Sequence, residues 1–221
     1  MQPNNNRIKV WDLPVRIFHW GMVSLLALLW WTADAGEMEL HQVMAYLLCS
    51  LLVFRVVWGV VGSETAKFSQ FLRSPKAALQ YAKSNPKPES IGHNPLGAFM
   101  VVLLMLLLMV QFSTGLFATD DIFTEGPLNR YISSDLASTL TWIHKQAFNV
   151  ILAFAAIHVL AIIIYLIKGD NLIAAMITGY KKVNAQVAQP KQRSIWIALV
   201  IFAGIFSVVW FVELGNVVAY L

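Results

Sequence analysis

Long apolar runs separated by short charged segments dominate this chain. Five of them approach or exceed the roughly 20 residues that a helix needs to cross a hydrocarbon layer about 30 Å thick. They predict membrane-spanning helices over residues 15–33, 40–62, 96–118, 136–167 and 195–214. The fourth is long: at 1.5 Å per residue it covers roughly 45 Å, enough for the core and the headgroups. Between the spans, Ser74-Pro75 offers an N-cap and a first-turn proline for a short helix over 76–83. Asp170 is placed to cap a second one over 171–178, with Gly179 as its stop. Phe68, Phe71, Leu72, Ile173 and Met176 are then expected to rest on the membrane surface.

Polar positions set the sidedness. Arg7, Lys9 and Arg16 precede span one. Lys67, Arg73, Lys76, Lys83 and Lys87 follow span two, and Lys168, Lys181, Lys182, Lys191 and Arg193 follow span four. With five spans these segments share one side, and Arg130 is the only basic residue in the loops of the other, which carry Asp34, Glu37, Glu39, Asp120, Asp121, Glu125 and Asp135. Basic loops stay in the cytoplasm, so the N-terminus is expected inside and the C-terminus outside. Ala33-Asp34-Ala35 after a basic start resembles a signal-peptide cleavage site. The specific residues at the start of span one argue that it is retained.

Composition agrees: 58% of residues are hydrophobic and 13% are charged, about half the usual charged share of roughly 25%. The net charge of +4 is distributed around the spans, which points to membrane lipid and away from nucleic acid. Cys49 is the only cysteine. An internal disulfide and covalent Cys-x-x-Cys-His heme attachment are therefore excluded, and Cys49 reads as a small buried hydrophobe.

Histidines carry the chemistry. His19, His41, His144 and His158 lie in or at the edge of apolar spans, where ionisable side chains are costly and usually functional. Helical arithmetic gives their depths. His19 lies about one turn into span one, near the inner side, and His41 begins span two at the outer side. His144 lies early in span four, also outer. His158 follows it by fourteen residues on nearly the same face, roughly 21 Å deeper. The four sort into level pairs, His41 with His144 and His19 with His158. Imidazoles from two facing helices suit a heme iron gripped from both sides, in the part of a bundle where cofactors sit. Two protein ligands leave no open position, which favours electron transfer over oxygen chemistry. Zinc wants a larger set, often with thiolate or carboxylate, and neither pair has one at its depth. A histidine-lined metal or proton transporter stays open as the alternative.

Heme propionates want cationic partners. Arg55, fourteen residues after His41, is level with the inner pair, and Lys145 adjoins His144 at the outer level; snorkelling to headgroups is the competing role for both. Gly21, Gly59, Gly62 and Gly115 would let a flat macrocycle approach a helix. His93, in Gly92-His93-Asn94-Pro95, is read first as a cap or headgroup contact and only second as a quinone ligand.

At these residues the chain resembles the bacterial cytochrome b561 family and the b-type cytochrome subunit of nickel-iron hydrogenases. The stretches that carry the likeness are Val10-Trp11-Asp12-Leu13-Pro14-Val15-Arg16-Ile17-Phe18-His19-Trp20, Leu40-His41, Phe54-Arg55-Val56-Val57-Trp58-Gly59-Val60-Val61-Gly62 and Gly92-His93-Asn94-Pro95-Leu96-Gly97. The His144 to His158 spacing and Ala174-Ala175-Met176-Ile177-Thr178-Gly179 add to them. The resemblance implies an all-α integral membrane bundle: a four-helix core holding two b hemes through His19, His41, His144 and His158, here with a fifth transmembrane helix. It sets the di-heme domain at 1–182, with linker and fifth helix at 183–221. It implies electron transfer in the bacterial inner membrane between quinone or quinol and a redox protein. That protein would be a c-type cytochrome or a dehydrogenase or hydrogenase subunit, to which the chain alternatively serves as heme-bearing anchor. Trp11, Arg16, His93 and Lys145 are the residues placed to meet a quinone.

Overall fold

The structure, a computed structural model, describes residues 7–86, 88, 90–120, 124–183 and 187–218; Lys87 and Asp121 of the charge pattern lie outside the described residues. After a short strand β1 (Arg7–Lys9) come α1 (Leu13–Ala35) and α2 (Met38–Val61), then the small helices α3 (Phe68–Phe71) and α4 (Pro75–Lys83). Next are α5 (Pro95–Gly115), α6 (Ser134–Ile167), the short α7 (Leu172–Thr178) and strand β2 (Tyr180–Lys182). Finally, α8 (Ile195–Val209) runs through a π-type segment, Trp210–Leu214, into a last turn, α9 (Gly215–Val218). The five long helices are each apolar enough to cross a membrane. The fold is thus the all-α membrane bundle that the sequence predicts. Trp30, Trp31, Trp142 and Trp196 are exposed near helix ends, where interfacial tryptophans belong.

Antiparallel neighbours pack first: α1 along α2, α5 along α6, with α8 against α2. The fifth span thus lies outside the α5–α6 pair. It joins the core through Ala198 and through Phe202, whose ring meets Phe54 edge-on at 5.9 Å.

Three basic segments meet at one end of the bundle. β1 pairs antiparallel with β2, placing Arg7 opposite Lys182. Glu64 accepts from the backbone N–H of Lys191 at 2.8 Å, and Ser63 Oγ from that of Arg193 at 3.0 Å. Two spans separate each of these segments from the next, which requires all three to share a side, and they do.

Local chemistry explains why the Val10–Trp20 and Phe54–Gly62 stretches belong together. Asp12 caps α1, one carboxylate oxygen accepting from Val15 N–H at 2.8 Å while the other accepts from the Trp58 indole N–H at 2.9 Å. Both residues are buried, and each carboxylate oxygen has a hydrogen-bond partner inside the fold. Gly179 ends α7 at φ 87° and its carbonyl accepts from the N–H groups of Val10 and Trp11 at 2.8 and 3.1 Å. A Cβ there would sit 2.7 Å from the Trp11 carbonyl oxygen, so only glycine meets both demands.

Two local expectations change. Asn171, not Asp170, caps α7, accepting from Ala174 N–H at 2.8 Å. Asp170 instead pairs with Lys181 at 2.8 Å. Phe68 and Phe71 turn inward, under α2 and against His93, because the 62–94 loop folds back beneath the bundle. Leu72 and Ile173 do remain exposed, whereas Met176 packs against the core.

Candidate functional site

Two imidazole pairs form at two depths of the bundle. The His41 and His144 rings, from α2 and α6, have centres 6.4 Å apart; those of His19 and His158, from α1 and α6, are 6.5 Å apart. The backbone of α6 follows α5 and does not pack along α1 or α2. The histidines therefore reach toward each other across the space between two helix pairs. Along α6 the fourteen-residue interval separates the levels by roughly 21 Å.

The His41–His144 pair is held in one tautomer by backbone carbonyls. His41 Nδ1 lies 3.0 Å from the carbonyl oxygen of Leu29, with Thr32 Oγ1 at 3.2 Å. His144 Nδ1 lies 2.8 Å from the carbonyl oxygen of Gln111, with Thr114 Oγ1 at 3.4 Å. A carbonyl only accepts, so each Nδ1 carries the proton and each Nε2 keeps its lone pair. That lone pair on His144 faces a donor, the Gln111 amide nitrogen, at 3.2 Å. The amide oxygen of Gln111 is buried without a partner among the described residues. Gly115 makes room for the ring: a Cβ there would lie 2.9 Å from His144 Cε1.

The His19–His158 pair has other surroundings. His19 meets Trp20 edge-on at 5.0 Å, and its Nδ1 is buried without a partner among the described residues. Arg55 is 2% exposed, with its guanidinium 4.9 Å from the Phe68 ring centre and 6.0 Å from that of Phe18. One of its terminal nitrogens is buried without a partner among the described residues. His93 joins this group. It does not cap α5, since Asn94 does so by accepting from Gly97 N–H at 2.8 Å. The His93 ring instead sits between Trp11 and Phe71, at 4.6 and 4.7 Å. Burial, followed by the charges of Arg55, His158 and His19, lowers its pKa to about 3, so it is neutral at physiological pH.

Other sequence candidates lie apart from the pairs or do something else. Lys145 is exposed on α6 beside His144. Arg16 donates to the carbonyl of Ile177 at the end of α7, where a cation suits the helix dipole. Of the small residues, Gly115 receives a histidine ring. Added Cβ atoms at Gly21, Gly59 and Gly62 would meet Leu51, Phe68 and Trp58, so these three serve side-chain packing. Sequence reasoning missed Gln111, Thr114, Leu29 and Thr32. Their only advance signal is their position about one turn from a span end level with His41 and His144. Among the described residues, no three His, Cys, Asp or Glu side chains gather as a multi-ligand metal centre would need.

Comparison with known proteins identifies a family. A family model described as prokaryotic cytochrome b561 matches residues 10–179, which include both pairs, Arg55 and His93. No curated protein and no solved structure matches the chain. On its sequence match and its five apolar helices, the chain belongs to the prokaryotic cytochrome b561 family, membrane proteins that bind b-type heme and carry electrons across the bilayer.

Proposed function

We propose that this chain holds two b hemes, His41 and His144 ligating the outer one and His19 and His158 the inner. The observation that carries the reading is the spacing within the pairs. A metal–imidazole bond of about 2.0–2.1 Å, with about 1.1 Å more from nitrogen to ring centre, puts two rings on opposite sides of one ion roughly 6.3 Å apart. Separations of 6.4 and 6.5 Å meet that requirement at both levels. When bound, the hemes supply the two one-electron centres that let a membrane protein relay charge between its faces.

The remaining work belongs to the chain. Leu29 and Gln111 accept the Nδ1 protons and leave Nε2 of the outer pair free to ligate. For His144 to ligate, the Gln111 amide nitrogen, 3.2 Å from Nε2, would have to give up that lone pair. Arg55 supplies a buried cation at the inner level, and Lys145 an exposed one at the outer level. Both are the groups we assign to propionates.

The chain exchanges electrons with the quinone pool at one face and with a redox protein at the other. That protein is a c-type cytochrome or a dehydrogenase or hydrogenase subunit. By the basic-loop rule the end carrying β1 and β2 faces the cytoplasm of a bacterial inner membrane. A quinol added to the purified oxidised chain should reduce its hemes without another protein. If reduction requires a dehydrogenase, the chain is an anchor subunit and not a quinol oxidoreductase.

A further inference from the structure

The two histidine levels differ in what surrounds them. At the outer level each imidazole Nδ1 is matched to a carbonyl. At the inner level, Arg55 and His93 each bury a polar nitrogen that no described residue partners. A buried polar nitrogen without a partner is costly, and far more so on a cation. The two belong to one neighbourhood, since the Phe71 ring against His93 meets the ring of Phe68, which carries the Arg55 guanidinium. Asp12, the buried carboxylate of this region, accepts from Val15 and Trp58; its charge acts on Arg55, but no ion pair joins the two among the described residues. The neighbourhood thus holds two buried nitrogens that no described residue partners, one of them on a cation. Its architecture also restrains His93: Trp11 and Phe71 fix the ring from two sides, and Phe68 carries the guanidinium of Arg55 on its face.

We propose that His93 and Arg55 together form a carboxylate-binding site, and that its ligand is a propionate of the inner heme. His93 is then a cofactor-binding residue supplied by the loop before α5, donating a neutral hydrogen bond beside the charged one from Arg55. This rests on the reading that His19 and His158 hold a heme, and deepens it.

Two variants of the full-length chain separate a donor from a packing element. His93→Phe keeps an aromatic ring between Trp11 and Phe71 and removes the donor. His93→Gln keeps an N–H donor and removes the ring. Transfer of the inner heme to apomyoglobin should be roughly tenfold faster or more in His93→Phe, the effect of losing one hydrogen bond to a charged group. The inner midpoint potential should also acquire a pH dependence across the neutral range, because a propionate without its donor takes up a proton more readily. His93→Gln should match the parent chain in both respects, and the outer heme should be unaffected in both variants. The opposite pattern, with Phe unchanged and Gln altered, makes His93 a packing residue and overturns the proposal; so does any pattern in which Gln fails to match the parent. Absence of an inner heme from the parent chain would instead defeat the ligand assignment itself.

Discussion

Gly115 offers a selective way to perturb one histidine pair. Alanine at this position would bring a Cβ to 2.9 Å from His144 Cε1 and 3.1 Å from Nδ1. Ordinary contact between such atoms is about 3.5–4.0 Å, so the ring must retreat by roughly 0.6 Å or α5 must part from α6. A ligand set tolerates misplacement of only about 0.5 Å. The ring cannot retreat freely, because the Gln111 carbonyl holds Nδ1 at 2.8 Å. Overpacking of this kind costs about 1–3 kcal/mol, which corresponds to about a 5- to 150-fold loss of outer-heme affinity. The assay is heme content per chain with a redox titration of both centres. Gly204→Ala on α8 is the control, since a Cβ there meets nothing within 4 Å. Gly115→Ala should lose or shift the outer heme alone. Two unperturbed hemes would refute the claim that Gly115 exists to seat His144.

Two further outcomes follow from the frame around the pairs. Asp12→Ala removes the cap of α1 and leaves the Trp58 N–H buried without its acceptor. Together these should cost about 2–4 kcal/mol, seen as a lower thermal midpoint in detergent, whereas Asp12→Asn should lose less. Tyr81 on α4 is held neutral by burial and by its hydrogen bond to Tyr165, which raise its pKa. Above about pH 10 the unfolded chain ionises this phenol before the folded chain does. The folded state then binds more protons, and stability falls as pH rises. Tyr81→Phe should make that alkaline decline shallower; an unchanged slope would show that Tyr81 is not its source.

Much of the architecture was legible because a hydrocarbon layer imposes simple rules. A run of about 20 apolar residues has few alternatives to a spanning helix, and all five runs became one. The histidine levels were legible for a related reason. Once α6 is a straight helix, residues 144 and 158 have fixed depths, and the antiparallel order of the spans brings His41 and His19 level with them. What escaped was anything dependent on backbone groups or returning loops. The carbonyls of Leu29 and Gln111 look like every other carbonyl until a histidine approaches them. Asp12 and Trp58 are 46 residues apart, and nothing in either helix alone announces their hydrogen bond. His93 read as a loop residue because its burial depends on how the 62–94 segment folds beneath α2. The choice of Asn171 over Asp170 as a cap was open to both side chains, and the ion pair with Lys181 engages the aspartate elsewhere.

The central claim is that each histidine pair grips one iron. It is tested most directly by quantifying heme in the purified chain together with its reduced-minus-oxidised visible spectrum, before and after alanine replaces His19, His41, His144 or His158 in turn. Two b hemes per parent chain and one in each variant, the same heme disappearing for both members of a pair, is the result the geometry requires. A parent chain with a single heme, or a variant that keeps both, would contradict it.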